Sequence, residues 1–294
     1  DEDQKKAIGV RVIDSNSKVS QDYFAKVVFV SASTLNTNLI LLNSKSKRFP
    51  NGLGNDNGLL GKFIAFHNYR ATINAEFEGF PQYTTEGAKP TSHYIPRFRN
   101  VYRQETDFLR GYAAGFGAQP NRETNKEGFG AELSNQLLST KETGVWNVNS
   151  HMMGETIPKE SNLVSLDQEK TDAWGIPLLN IDVDYDDNDE KMIQDFYEQF
   201  SEMYEKSGFV NIKTNDNGRR PGNDIHEMGG VRMGKNPKTS LLNAWNQMHE
   251  CKNVFVTDGA CMTSTSTQNP SLTFMAITAR AANYAIRQMK KGLI

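Results

Sequence analysis

The sequence predicts an α/β fold interrupted by an α+β insertion, and three observations carry that prediction. Strand, small-residue turn and helix follow one another at both ends of the chain. The middle is rich in aromatic and alternating polar residues, broken by Gly, Pro and Asn clusters that suit antiparallel sheet and loops. At 294 residues the chain can bury a sizeable core, organised as one large domain or two smaller ones. Residues 1–45 and 221–294 are therefore expected to form one α/β domain, with 46–220 inserted as a second.

Along the first end, residues 7–13 alternate, Asp14 to Ser17 reads as a turn, and a second strand follows at 26–30, a hairpin leading into a buried strand. Residues 31–34 are small, and in the stretch from Leu35 to Ser44 a polar cap precedes an apolar helical stripe. Within the insertion, 70–77 and 144–152 alternate as strands, and the period of two puts Asn147, Asn149 and His151 on one face of the second. An acidic cap at 186–189 opens a helix whose apolar positions are Met192, Ile193, Phe196, Tyr197, Phe200, Met203 and Tyr204, and Gly208 closes it. The last segment has a strand at 253–257, a Ser/Thr-rich loop, and a long helix entered through Asn269, Pro270 and Ser271. Leu272, Met275, Ile277, Ala281, Tyr284, Ala285 and Met289 are its apolar positions, and Gly292 is its stop.

Composition narrows the function. The 33 basic and 35 acidic residues are scattered, so no electrostatic footprint for nucleic acid or an acidic membrane is present. A small molecule is the easier partner. Cys251 and Cys261 form neither a metal pair nor a disulfide framework and read as buried thiols. No metal site is expected. No apolar run approaches the roughly 20 residues that span a bilayer, and the polar start Asp1 to Lys6 lacks the apolar core of a secretory signal. The chain reads as soluble, its compartment open between cytoplasm and periplasm. The start, without Met and close to a strand, reads as the beginning of a fragment of a larger fold.

Two stretches hold candidate chemistry. In residues 223–234, His226 is followed by the paired glycines Gly229 and Gly230, which suits a side chain facing a cavity while its backbone passes close to another group. A satisfied core or surface histidine is the plainer reading of that pattern alone. Asn269 stands at the entrance of a helix, where free N–H groups and the macrodipole favour electron-rich atoms. By itself, a structural helix start is the plainer reading. His67, His93 and His249 read as structural.

Together and in this order, these segments resemble the C-terminal signature of the glucose-methanol-choline (GMC) oxidoreductases. The resemblance rests on His-x-x-Gly-x-x-Arg-Met-Gly-x-x-Pro from His226 to Pro237, on the strand and turn from Asn253 to Gly259, and on Asn269-Pro270-x-Leu272-Thr273. Residues 28–37 and 60–67 extend it more loosely. The Asn-Pro-x-Leu-Thr form is most similar to the branch holding pyranose oxidase and the gluconate and fructose dehydrogenase flavoprotein subunits.

The resemblance implies that the two chain ends form part of a Rossmann-like FAD-binding domain and that 46–220 is a substrate-binding domain of antiparallel sheet with helices. It implies oxidation of a CH–OH group of a sugar, sugar acid or polyol by hydride transfer to the flavin, with His226 as base and Asn269 as its partner. An imidazole has a suitable pKa for the first role, and an amide holds an oxygen without adding charge in the second. By the same resemblance Asp258, Gly259, Asn269, Pro270 and Thr273 approach the flavin. Asn149 and His151, with Glu155 beyond them, are candidates for substrate contact. The dinucleotide fingerprint Gly-x-Gly-x-x-Gly is not found: Gly52-x-Gly54 and Gly115-x-Gly117 lack the third glycine and the flanking strand and helix. An additional N-terminal flavin-binding segment is thus an expected partner, an electron-acceptor protein is another, and the fragment alone is expected to be inactive. A binding module that keeps the fold without flavin is the competing expectation.

Overall fold

Alternation builds the sheet in the middle of the chain, and a capped amphipathic helix covers it. The structure is a computed structural model and describes residues 5–79, 93–120, 128–138, 145–223 and 225–294. Asp1 to Gln4, Gly144 and Asp224 of the segments quoted above lie outside the described residues. In chain order the elements are β1 (Gly9–Ile13), β2 (Ser20–Phe24), β3 (Val28–Val30), α1 (Thr34–Asn43), β4 (His67–Asn68), β5 (Ala71–Phe77), β6 (His93–Ile95), β7 (Tyr112–Pro120), α2 (Ala131–Leu138), β8 (Trp146–Glu155), β9 (Leu163–Thr171), β10 (Pro177–Asp182), α3 (Asp187–Lys206), β11 (Val210–Asp216), β12 (Val254–Val256) and α4 (Ser271–Lys290), with a 3-10 turn at Gly259–Cys261 between the last two.

Two compact units result. One comprises Asp1–His67, Glu155–Tyr185 and Arg220–Ile294, the other Asn68–Gly154 and Asp186–Arg219. The expected domain limits placed 46–67 and 155–185 in the insertion, whereas the structure joins both to the unit of the chain ends. Hydrogen bonds and packing explain the difference. Gly61 N–H donates to Gly230 O at 2.9 Å and Val164 N–H to Gly61 O at 2.8 Å. Ile64, Phe66 and Val164 bury themselves against Leu35 and Leu42 of α1.

In the unit of the chain ends, β3 and β12 pair in parallel, Val28 opposite Val254 and Val30 opposite Val256. The sheet of this unit is thus a two-stranded parallel pair with separate hairpins, and the described residues give a mixed α/β arrangement. The turn after residue 13 forms as expected, but the returning strand is β2, Ile13 opposite Ser20, rather than 26–30. Nor is β3 wholly buried, since Phe29 alternates outward while Val30 faces in. On α1 the inward face is Thr34, Thr37, Asn38 and Leu41, so polar groups replace most of the expected apolar stripe. On α4 only Ala281 and Ala285 are buried; Leu272 and Met275, expected in the core, are 77% and 69% exposed.

In the other unit, an antiparallel sheet runs in the order β11-β5-β8-β7-β6. Side chains at 148, 150 and 152 point inward and those at 147, 149 and 151 outward or toward the margin, as the period of two requires. Helix α3 lays Met192, Ile193, Phe196, Phe200 and Tyr204 on Ala71, Ile73, Tyr112, Val148 and Met152. Its start is a capping box: Asp186 accepts from Asn188 N–H at 3.0 Å, and Asp189 accepts from Asp186 N–H at 3.1 Å. Gly208 ends it with φ 79°. Among the described residues, no helix is long and apolar enough to cross a membrane.

Loss of a capping side chain exposes orphan N–H groups at the first turn. Asp186→Ala is therefore expected to lower stability by about 1 kcal/mol, measured by urea denaturation, with the fold retained.

Candidate active site

The segment carrying His226 is held on three sides by backbone and buried polar groups. Ala65 and Met228 exchange both backbone hydrogen bonds, each at 2.8 Å. The carbonyl of Glu227 accepts the hydroxyl of Thr34, at the first turn of α1. One turn later Asn38 donates its amide to Thr34 O at 2.8 Å and to Gly229 O at 3.1 Å. Gly229 N–H donates to Gly259 O at 3.0 Å, and Val231 N–H to Ala260 O at 3.0 Å, tying the segment to the turn after β12.

These contacts explain the paired glycines. Gly229 and Gly230 have φ of 94° and 86°, where a side chain is strained. A Cβ at Gly229 would stand 2.1 Å from Phe63 O, and one at Gly230 2.1 Å from Asn38 Oδ1. His226 itself has φ 68°, a left-handed conformation uncommon for a non-glycine residue, held by its surroundings. Its half-buried ring meets the ring of His67 edge to face, with centroids 5.1 Å apart and planes at 86°. Nδ1 of His226 is buried with no hydrogen-bond partner among the described residues. Burial lowers the pKa of His226 below the ordinary histidine value, so the neutral base is favoured at neutral pH.

The turn at Gly259 is the meeting point of three segments. Asp258 accepts Ala260 N–H at 3.0 Å, capping the 3-10 turn, and accepts the Thr37 hydroxyl at 2.5 Å. Burial raises its pKa, and these hydrogen bonds work in the opposite direction. Its carboxylate thus engages α1 and its own turn. A Cβ placed on Gly259 would lie 2.6 Å from Glu227 O and 3.5 Å from Cζ of Phe274, so the His226 segment and the first turn of α4 both close on this glycine.

Asn269 and Thr273 are exposed and Pro270 is buried at the entrance to α4. No side chain caps this helix, and its first turn has no acidic residue, while Arg287 and Lys290 sit in the last turn. The N–H groups at its start are open to an electron-rich group. Nearby in sequence, Ser264 donates to the buried carboxylate of Glu155. Arg232 stacks on Phe63, 3.7 Å from the ring centroid, and donates to Thr239 O. That motif arginine braces the same segment.

Asn149 and His151 belong to the other unit. Asn149 donates its amide to Asn74 Oδ1 at 2.8 Å across the β5–β8 pair, and the half-buried His151 stacks on Tyr69 with centroids 5.9 Å apart. Burial lowers the pKa of His151 as well. Gly115 and Gly117 lie in β7 opposite His151 and Asn149, inside an antiparallel sheet. Among the described residues no group of His, Cys, Asp or Glu could hold a metal ion.

Sequence reading missed Thr34, Asn38, Phe274 and the proximity of His67 to His226. Polar residues four apart on α1, where an apolar stripe was expected, were the available signal for the first two.

A mixed α/β chain with this architecture has counterparts among solved oxidoreductase structures. A formate oxidase of Aspergillus oryzae, in a structure concerned with FAD modification, matches with a TM-score of 0.62 at 12% identity, covering 100% of this chain and 59% of that one. Residues 158–278 match the family model described as GMC oxidoreductase. Over those residues the chain is similar to a GMC oxidoreductase C-terminal domain. Similar proteins include the 2-methyl-1,2-propanediol dehydrogenase of Mycolicibacterium austroafricanum, 32% identical over 96% of this chain and 52% of that protein. The fructose dehydrogenase large subunit of Gluconobacter japonicus is 26% identical over 94% of this chain and 50% of its own length. The chain spans about half the length of these curated relatives.

A Cβ added at Gly259 would stand 2.3 Å from Thr34 Oγ1 and 2.6 Å from Glu227 O, so it displaces the contact that holds the His226 segment to α1. Gly259→Ala is expected to cost about 1–3 kcal/mol and to shift the His226 ring resonances in an NMR spectrum, whereas Gly117→Ala, where a Cβ meets nothing within 4 Å, leaves those resonances unchanged.

Proposed function

We propose that this chain supplies the base and its hydrogen-bonding partner for flavin-dependent oxidation of a CH–OH group in a sugar, sugar acid or polyol. The observation that carries the reading is the approach, at Gly259, of the segment that holds His226 in a left-handed conformation and the uncapped start of α4. When bound, FAD supplies the acceptor for the hydride that leaves the carbinol carbon. His226 takes the hydroxyl proton. Asn269 holds the same oxygen, so that the C–H bond is oriented without a competing charge.

The residues present fit such a cofactor. A 20-residue helix whose first turn carries no acid and no side-chain cap favours negative charge at its N-terminus, which suits the electron-rich edge of a reduced flavin. Pro270 and Thr273 are the residues of that turn that would stand at the ring, and Gly259 the one that lets the chain approach. Asp258 holds the turn through Thr37 and Ala260. A further segment bearing a Gly-x-Gly-x-x-Gly turn would complete the pyrophosphate site. Leu272 and Met275 on α4, together with Phe29 on β3, offer apolar surface for it to cover. Without that segment the chain is expected to be inactive.

Two measurements test the reading. In the flavin-loaded protein, kcat/KM should fall on an acid limb below the ordinary histidine pKa of about 6.5, because the neutral form of His226 is the active one and burial lowers its pKa. Activity is therefore lost as pH drops through the lowered pKa of His226, on the acid side of the ordinary histidine range. His226→Asn should reduce kcat by roughly 10²–10⁴-fold and remove the limb. Asn269→Ala should reduce kcat with the limb retained. An unaltered pH profile in His226→Asn refutes the assignment, and failure of the complete protein to take up flavin favours the binding-module alternative.

A further inference from the structure

We propose that His67 is a positioning residue for His226, its buried ring fixing the plane in which the reacting imidazole lies. The inference rests on His226 being the base, and four observations lead to it. The antiparallel bridge between Ala65 and Met228 sets a register in which, two residues on, His67 stands opposite His226. Directly opposed residues bring their side chains within contact, and the two rings do meet, edge to face, at 5.1 Å. His67 is only 1% exposed, so its own ring is fixed by packing. A reacting histidine is ordinarily oriented by a hydrogen bond to the nitrogen turned away from the substrate. Nδ1 of His226 is buried and has no such partner among the described residues, which leaves orientation to the ring that touches it.

Among the described residues, the hydrogen bonds of the nearby carboxylates lead elsewhere. The carboxylate of Asp258 accepts from Thr37 and Ala260, and that of Glu155 from Ser264. The first turn of α4 carries no acid. The backbone around His67 is fastened as well: Phe66 N–H donates to Thr156 Oγ1 at 3.2 Å, and the Thr156 hydroxyl donates back to Phe66 O at 2.6 Å. An aromatic edge-to-face contact is directional, so a ring without hydrogen-bonding capacity should serve in its place.

The test compares His67→Ala, His67→Phe and His67→Asn in the flavin-loaded protein. A misplaced reacting group costs rate rather than binding. Ala and Asn are expected to lower kcat by roughly tenfold or more with KM little changed, and Phe to recover most of the loss. Recovery by Asn but not Phe, or wild-type kcat in the Ala variant, overturns the proposal. Because truncating so buried a side chain also destabilises the fold, ¹⁵N spectra of the His226 ring in the folded variants give a second readout. Wild type and His67→Phe should share one ring environment, and His67→Asn should show a second tautomer or exchange broadening. Identical spectra in all variants overturn it. A wild-type protein that oxidises no alcohol would refute the proposed function, while the ring spectra still decide the role of His67.

Discussion

The carbonyl of Glu227, accepting the Thr34 hydroxyl, is the contact on which the geometry of the site depends. It pins the residue after His226 to the first turn of α1. Asn38 repeats the attachment one turn later through Gly229. A buried carbonyl left without a donor costs the full desolvation of that group, so the segment has little freedom to relax into an ordinary backbone conformation. The left-handed φ of His226 is sustained by these bonds and by the exchange between Ala65 and Met228. Local strain is thereby balanced by polar groups of α1 that make no contribution to an apolar core.

Gly259 extends the same constraint to α4. With no side chain there, the Thr34 hydroxyl, the Glu227 carbonyl and the Phe274 ring all come close to one point. The turn is fixed in its own right by Asp258, whose carboxylate binds Thr37 and caps the 3-10 turn. Helix α1 therefore anchors both the His226 segment and the turn on which α4 begins. Its inward residues Thr34, Thr37 and Asn38 serve as hydrogen-bonding groups, which is why that face is polar.

Much of this was legible in the sequence where local rules govern. The acidic cap, apolar spacing and closing glycine of α3 describe the helix that forms, since each acts over a few residues. The outward face of β8, with Asn147, Asn149 and His151, follows from period two. The paired glycines after His226 marked a close backbone approach. What was not legible depends on partners distant in sequence. The strand at 28–30 pairs with β12 rather than folding back on β1, because its partner arrives more than two hundred residues later. The ends of the insertion were misplaced because 61–65 bond to 228–230 and 162–164, which no local pattern records. Leu272 and Met275 fit a helical stripe, yet α4 rests here on the narrow face of Ala281 and Ala285. The contact of His67 with His226 is likewise a product of long-range register.

The central claim is that His226 and Asn269 address one substrate oxygen. It is tested most directly by a crystal structure of the flavin-loaded protein with a bound, unreactive alcohol analogue. The account predicts His226 Nε2 and the Asn269 side-chain amide both within hydrogen-bonding distance, about 2.6–3.2 Å, of the analogue's hydroxyl oxygen. An analogue held with either side chain turned away from that oxygen would contradict it.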